Sequence, residues 1–270
     1  AGLSTSSDYS VYIGDLAGQA GSGNFNTAVG RYAMYASGTG ANNVAVGNIS
    51  GFSITDGSYN VLMGVDSGRN ITTGNYQTAI GYTAGYSMTT GNDNTVLGKA
   101  AGYYITTGYD SVAVGSGAGY NHTTGFGNVF VGKNAGYGAG SVASSGNVGI
   151  GEETLYNQSG GYGNVCVGRE SGKAITSGNS NTFIGNLVNN SQTTTGSNNI
   201  TLGANSTASS ATVSNEVTFG NSSIASIRCQ VQTISSLSDR RDKKDIEELP
   251  IGIDFINALK PVKFTWNMRD

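Results

Sequence analysis

Charge is scarce in this chain. Of its 270 residues only 11% are Asp, Glu, Lys or Arg, less than half the usual share of about 25%. The net charge is −3, so no basic surface is available to gather nucleic acid or to hold an anionic membrane. Proline occurs only twice, which excludes collagen and polyproline linkers. Two cysteines, Cys166 and Cys229, lie far apart. They offer neither a disulfide framework nor a metal-binding spacing. Histidine and tryptophan occur once each, as His122 and Trp266. No apolar run approaches the roughly 18 residues of a membrane span. The opening "AGLSTSSDYS" has neither the basic nor the apolar region of a secretory signal. The carboxylates Asp15, Asp66, Glu152, Glu153 and Glu170 recur at no fixed spacing, so no glycosidase pair is indicated. The many G-x-G strings precede no helical pattern, so no phosphate loop is indicated. No cofactor is expected.

What the chain has is glycine, 43 residues or about one in six, and a repeat. Segments such as "NTAVG", "NVAVG", "NVLMG", "SVAVG", "NVFVG" and "NVCVG" align on one glycine. Thirteen such glycines run from Gly14 to Gly220, with spacings of 16, six of 17, then 19, 17, 17, 18 and 17. Three residues before the glycine every copy is β-branched, and one before it every copy is apolar. These two positions share one face of a strand. Four before it, nine of thirteen copies carry Asn, from Asn26 to Asn199. Asn repeated at one corner can ladder its amide to the copies above and below. Four after it, eight copies carry a second Gly, suited to a tight turn. A second short strand is predicted in "SITDG", "NITTG", "SMTTG" and their equivalents.

Seventeen residues cannot bury a core alone, whereas stacked copies can. The expected fold is all-β: a parallel β-solenoid shaft of about thirteen 17-residue repeats over residues 1–225, about 60 Å long at ~4.8 Å per coil. Each coil is narrow and leaves an apolar face over, so a homotrimer is expected, three chains packed about a three-fold axis.

Several positions stand out within the repeat. Tyr35, Phe52, Tyr86, Tyr103, Tyr120 and Tyr137 lie five past the glycine. They either pack on one another or present rings to a host sugar, which makes Tyr86, Tyr103, Tyr120 and Tyr137 candidate binding residues. His122 replaces an Ile or Met in an apolar column. It either points outward or converges with its copies at a trimer axis as an ion site. Cys166, two before its glycine, is expected as a buried filler.

After a connector at 226–238 the chemistry changes. Residues 239–270 hold seven of the fourteen Lys and Arg, seven Asp and Glu, both prolines and the tryptophan. "PIGIDFINALK" suggests a short helix stopped by Pro261, and "VKFTW" a strand. The segment is expected to be the beginning of a small α+β domain, incomplete here.

Two family resemblances follow. The copies "NNVAVGNISG" and "DSVAVGSGAG" resemble the head repeats of trimeric autotransporter adhesins, a parallel β-roll of somewhat shorter period. The tail "LSDRRDKKDIEEL" with "GIDFINALKPVKFTWNMRD" resembles the start of the intramolecular chaperone auto-processing domain (peptidase family S74) of bacteriophage tail fibres and tailspikes. The family pattern falls on Ser238, Asp239, Arg241, Lys243 and Ile246, and again on Leu259, Lys260, Pro261, Phe264 and Trp266. The resemblance implies a chaperone that trimerises the shaft and then cuts itself off between Ser238 and Asp239. Ser238 would be the nucleophile and Lys243 its general base, a single-turnover serine endopeptidase attached to a shaft that is no enzyme. It further implies a virion protein acting extracellularly, with a host receptor (a glycan or an outer-surface protein) and other tail proteins as partners. Two rivals stand beside this: an adhesin head with no processing, and a polysaccharide-degrading tailspike.

Overall fold

Each repeat opens on a β-branched residue, an inner residue and a second apolar residue, and a glycine ends the extended run. The computed structural model describes residues 9–36, 38–140, 142–190 and 194–228. The chain divides into two compact units, Ala1–Ile224 and Ala225–Asp270; the first is the repeat region. It contains thirteen three-residue strands: β1 (Val11–Ile13), β2 (Thr27–Val29), β3 (Val44–Val46), β4 (Val61–Met63), β5 (Thr78–Ile80), β6 (Thr95–Leu97), β7 (Val112–Val114), β8 (Val129–Val131), β9 (Val148–Ile150), β10 (Val165–Val167), β11 (Thr182–Ile184), β12 (Ile200–Leu202) and β13 (Val217–Phe219). All lie in one sheet in sequence order, and each pairs in parallel with the next. The register is that of the repeat, Val44 opposite Val61 and Val46 opposite Met63. This is a β-solenoid, with no helix among the described residues.

The middle residue of each triplet points into the coil. Ala45, Leu62, Val96, Phe130, Cys166 and Phe183 are buried. Facing them are Ile54, Ile71, Met88, Ile105 and Ile175 from the far side of the coil. The outer two positions of the triplet, the most regular apolar pair in the sequence, face away from this core. Ile13 is 55% exposed, Met63 42% and Phe219 59%.

The far side differs from expectation. The predicted second strand is reduced to a ladder through one carbonyl per coil: Thr72 O accepts from Thr55 N at 3.0 Å and Gly57 N at 3.1 Å, and Thr89 O from Thr72 N at 3.0 Å and Gly74 N at 3.2 Å. It reaches β-bridge geometry only at His122–Val142 and Ile175–Thr194. Turns crowd both ends of this segment, so no run of paired residues forms. The threonine hydroxyls add a second rung, Thr89 Oγ1 donating to Thr106 O at 3.1 Å.

The motif glycine has two reasons to be glycine. Its φ is near +135° in most coils, as at Gly81 (φ 137°), a region L side chains rarely adopt. A Cβ at Gly81 would also lie 2.5 Å from the carbonyl oxygen of Gly98 in the next coil. The Asn column behaves as its position predicts. Asn43 Nδ2 donates to Gly57 O at 2.8 Å. Its Oδ1 accepts from Asn60 N at 3.0 Å and Asn60 Nδ2 at 2.9 Å. These side chains are fully buried and satisfied, which avoids the ~1–3 kcal/mol cost of an orphaned polar group.

Candidate functional site

Two columns on the outside of the shaft carry aromatic rings, the first in most coils and the second at Tyr109, Phe126 and Tyr162. The first lies five residues past the motif glycine, and its rings stack face to face from coil to coil. Tyr35 stacks on Phe52 at 5.1 Å, Tyr86 on Tyr103 at 4.9 Å, Tyr103 on Tyr120 at 5.3 Å and Tyr120 on Tyr137 at 4.8 Å. Tyr137 continues onto Tyr156 at 5.0 Å. Arg69 fills the rung between Phe52 and Tyr86, with its guanidinium 5.8 and 5.6 Å from their ring centres. Lys173 closes the far end over Tyr156, held there by Glu153 at 2.7 Å and Glu170 at 3.1 Å. The ladder thus runs unbroken from Tyr35 to Lys173.

This geometry bears on the candidate binding residues. Tyr103 and Tyr120 each have both ring faces covered by their neighbours, and Tyr104 packs edge-on against both. Faces already used in stacking are not open to a sugar. Burial, with the neighbouring phenols second, pushes the hydroxyls of Tyr103 and Tyr120 above their ordinary range. The sequence reading missed Arg69, Tyr156 and Lys173 as rungs, although they sit at the same offset from Gly64, Gly151 and Gly168.

The second column lies six residues before the motif glycine. Tyr109 and Phe126 stack at 5.0 Å and 4°. The next rung is Ser145 and the one after is Tyr162. The three coils are in register, Gly146 N donating to Phe126 O at 3.0 Å and Gly163 N to Ser145 O at 3.1 Å. Phe126 and Tyr162 therefore lie two rungs apart with no ring between them. A cavity of about 520 Å³ occupies that place. Elsewhere this position holds Ser or Asn, as at Ser58, Asn75, Asn92, Asn179, Ser197 and Ser214, so Ser145 is the usual residue set between two rings.

His122 lies beneath it. The side chain faces the interior of its own coil, packed at 4.5 Å on the Phe130 ring, with Nδ1 3.1 Å from Ser144 Oγ. It points neither outward nor toward an inter-chain axis, because its column is the one that fills the coil. Burial lowers the imidazole to a pKa of about 4, opposed in part by the Gly136 backbone beside the ring. Among the described residues no group of three His, Cys, Asp or Glu side chains is placed to hold a metal. Cys166 is buried in the strand position expected of it, and burial raises its thiol well above the usual range.

Ser238, Asp239 and Lys243, like Cys229 and the expected helix and strand of the tail, lie outside the described residues. Residues 238–270 match the Peptidase S74 family, described as Chaperone of endosialidase. No curated protein and no solved structure matches the chain. A parallel β-solenoid carrying a C-terminal match to this chaperone family fits a tail-fibre-like protein.

Proposed function

We propose that the chain is part of a homotrimeric, virion-borne tail fibre that reaches a host cell surface, and that it is folded by a C-terminal chaperone which then releases itself at the Ser238–Asp239 bond. The observation that carries this reading is the coincidence of two boundaries. The match to the chaperone family begins at Ser238, at the step where a glycine-rich, nearly uncharged shaft becomes a densely charged tail. The outward face of the strands supports the trimer. Every coil from β1 to β13 presents two apolar or β-branched positions to the outside. Three copies about an axis would cover these stripes with one another.

A shaft of near-identical coils needs such an aid. Slipping one chain by one coil exchanges almost equal contacts, and non-local parallel pairing is slow. A globular domain that fixes three chain ends together removes the ambiguity, and afterwards it is dispensable. In the proposed release, water cleaves the Ser238–Asp239 peptide bond to a carboxylate and an amine. The Ser238 hydroxyl, giving its proton to Lys243, would attack the scissile carbonyl; the Asp239 amine would leave with that proton, and water would then hydrolyse the ester and restore the hydroxyl.

The test is intact-mass measurement on the product of a gene encoding the whole C-terminal domain, with Ser238→Ala and Lys243→Ala in parallel. The expected wild-type product ends at Ser238 and sediments as a trimer, while both variants stay full length. An uncut wild type would instead favour a permanent cap and the adhesin-head reading.

A further inference from the structure

We propose that the vacant rung at Ser145 is a binding slot for one neutral pyranose ring of a glycan, held face to face between Phe126 and Tyr162. The inference stands on the slot itself and does not depend on how the tail is processed.

The thickness of the slot is set by the shaft. Adjacent rungs in this column stack with ring centres 5.0 Å apart, as Tyr109 and Phe126 do. Phe126 and Tyr162 are two rungs apart, so roughly 10 Å of axis, at ~4.8 Å per coil, separates their levels. That leaves space for one six-membered ring with a stacking partner on each side. Both bounding rings are accessible, Phe126 at 47% and Tyr162 at 61% exposure. The gap takes one ring, as the gap between Tyr86 and Tyr120 takes Tyr103.

The floor is bare. At the position five before the motif glycine, other coils carry Tyr59, Tyr76, Asp93, Asp110 or Ser180, all at positive φ. Three consecutive coils here carry Gly127, Gly146 and Gly163 at the same φ, 63°, 66° and 65°. Crowding does not require those glycines, since a Cβ at Gly146 would meet nothing closer than Gly163 N at 3.9 Å. Gly146 thus leaves no side chain beside the small Ser145. Among the described residues lining the cavity none is charged, which favours a neutral ligand. Ser145 Oγ accepts from Phe126 N at 3.1 Å, and its hydroxyl hydrogen remains to be donated to a ligand oxygen.

Two apolar walls also select the sugar. Only a pyranose with equatorial hydroxyls presents C–H groups on both faces, so a β-glucose-type ring fits, and an axial hydroxyl would meet one of the aromatic walls.

The decisive variant is Ser145→Tyr, which places a ring between Phe126 and Tyr162. With the full chain and cellotetraose as probe, saturation-transfer NMR and calorimetry should show wild-type binding in the millimolar range. Ser145→Tyr should abolish it while melting at or above the wild-type temperature. Phe126→Ala and Tyr162→Ala should each weaken binding at least tenfold, which keeps the test valid if Ser145→Tyr fails to fold. Methyl β-galactoside, with its axial hydroxyl, should bind at least fivefold more weakly than methyl β-glucoside. Wild-type protein that ignores cellotetraose, or that takes indole in its place, overturns the proposal. So does an unchanged affinity in Ser145→Tyr.

Discussion

The coils between Gly30 and Gly132 and those between Gly132 and Gly203 obey the same rules with different parts. The first group keeps a strict 17-residue period, and the second runs 19, 17, 17 and 18. In a regular coil such as that of β4, Leu62 fills the centre and Gly68 turns beside it. A Cβ at Gly68 would lie 2.7 Å from Leu62 Cδ2. In the coil of β9 the volumes are exchanged: Gly149 stands in the strand, and Leu155, at the Gly68 position, fills the interior at 0% exposure. Leu155 accepts the left-handed turn, φ 52°, to do so. What the fold conserves is the filled volume per coil and the backbone contact between coils, rather than the residue at any one place. The exchange is not confined to the irregular coils, since Met34, four past Gly30, is likewise fully buried at φ 49°. The 19-residue coil also borders the cavity between Phe126 and Tyr162.

The sharpest way to break this comparison is at a position where both groups agree. Gly81→Val adds a side chain at φ 137° against the Gly98 carbonyl. Backbone faces it, so nothing flexible can yield. A loss of more than about 4 kcal/mol is expected, seen as the absence of cooperative thermal unfolding by circular dichroism. A milder test acts where the groups differ. Leu155→Gly should cost about 2–5 kcal/mol through the cavity it leaves. Gly149→Leu alone should also destabilise, since even a Cβ there lies 2.9 Å from Thr154 Oγ1, 3.2 Å from Phe130 Cδ1 and 3.4 Å from Leu155 Cδ1. Combined, the two changes restore the Leu62–Gly68 arrangement. The double variant should unfold at a higher denaturant concentration than either single, with a coupling of ~1–3 kcal/mol. Simple additivity would mean that the volume exchange is not what holds this coil.

Much of this was readable in the sequence, and the reason is repetition. One glycine and one β-branched position recurring thirteen times, with an Asn in nine of the copies, fix the period, the strands and their parallel register. The burial of Cys166 followed from its column alone. The faces were harder. Val-x-Val spacing marks one face of a strand, and only the structure shows that this face is the outer one, because the alternating Ala, Leu, Phe and Gly at the middle position look too variable for a core. Their variation is the compensation just described. The second strand was overread because Ile-Thr-Thr has strand propensity, whereas the turns on either side leave room for bonds to one carbonyl per coil only. The slot was missed because it is an absence: Ser145 among Tyr109, Phe126 and Tyr162 means nothing until the coils are in register.

The smallest expected effect is conditional on pH, and it too sits in an irregular coil. His122 occupies a column otherwise filled by Ile54, Ile71, Met88, Ile105 and Ile175, all buried. Its bridge partner Val142 lies in the 19-residue coil. Burial holds the folded imidazole at a pKa of about 4, against about 6.5 in an unfolded chain. Between these values the unfolded state binds more protons. The contribution present above pH 6.5 is therefore lost as pH falls toward 4, roughly 2 kcal/mol of it by pH 5. Glu153 and Glu216 have their carboxyls held below the ordinary range, Glu153 first by the Lys173 ammonium and Glu216 first by the Ser209 hydroxyl, so they keep their charge through this window. Urea unfolding of wild type should thus shift to lower midpoint between pH 7 and pH 5, and His122→Ile should remove most of that shift. At pH 7 the variant should differ little, since a better-matched side chain offsets the bond lost to Ser144 Oγ. An equal acid shift in both proteins would place the acid-sensitive group elsewhere. A reduced shift would confirm that the one polar residue admitted to the hydrophobic column of the coil is tolerated only while it stays uncharged.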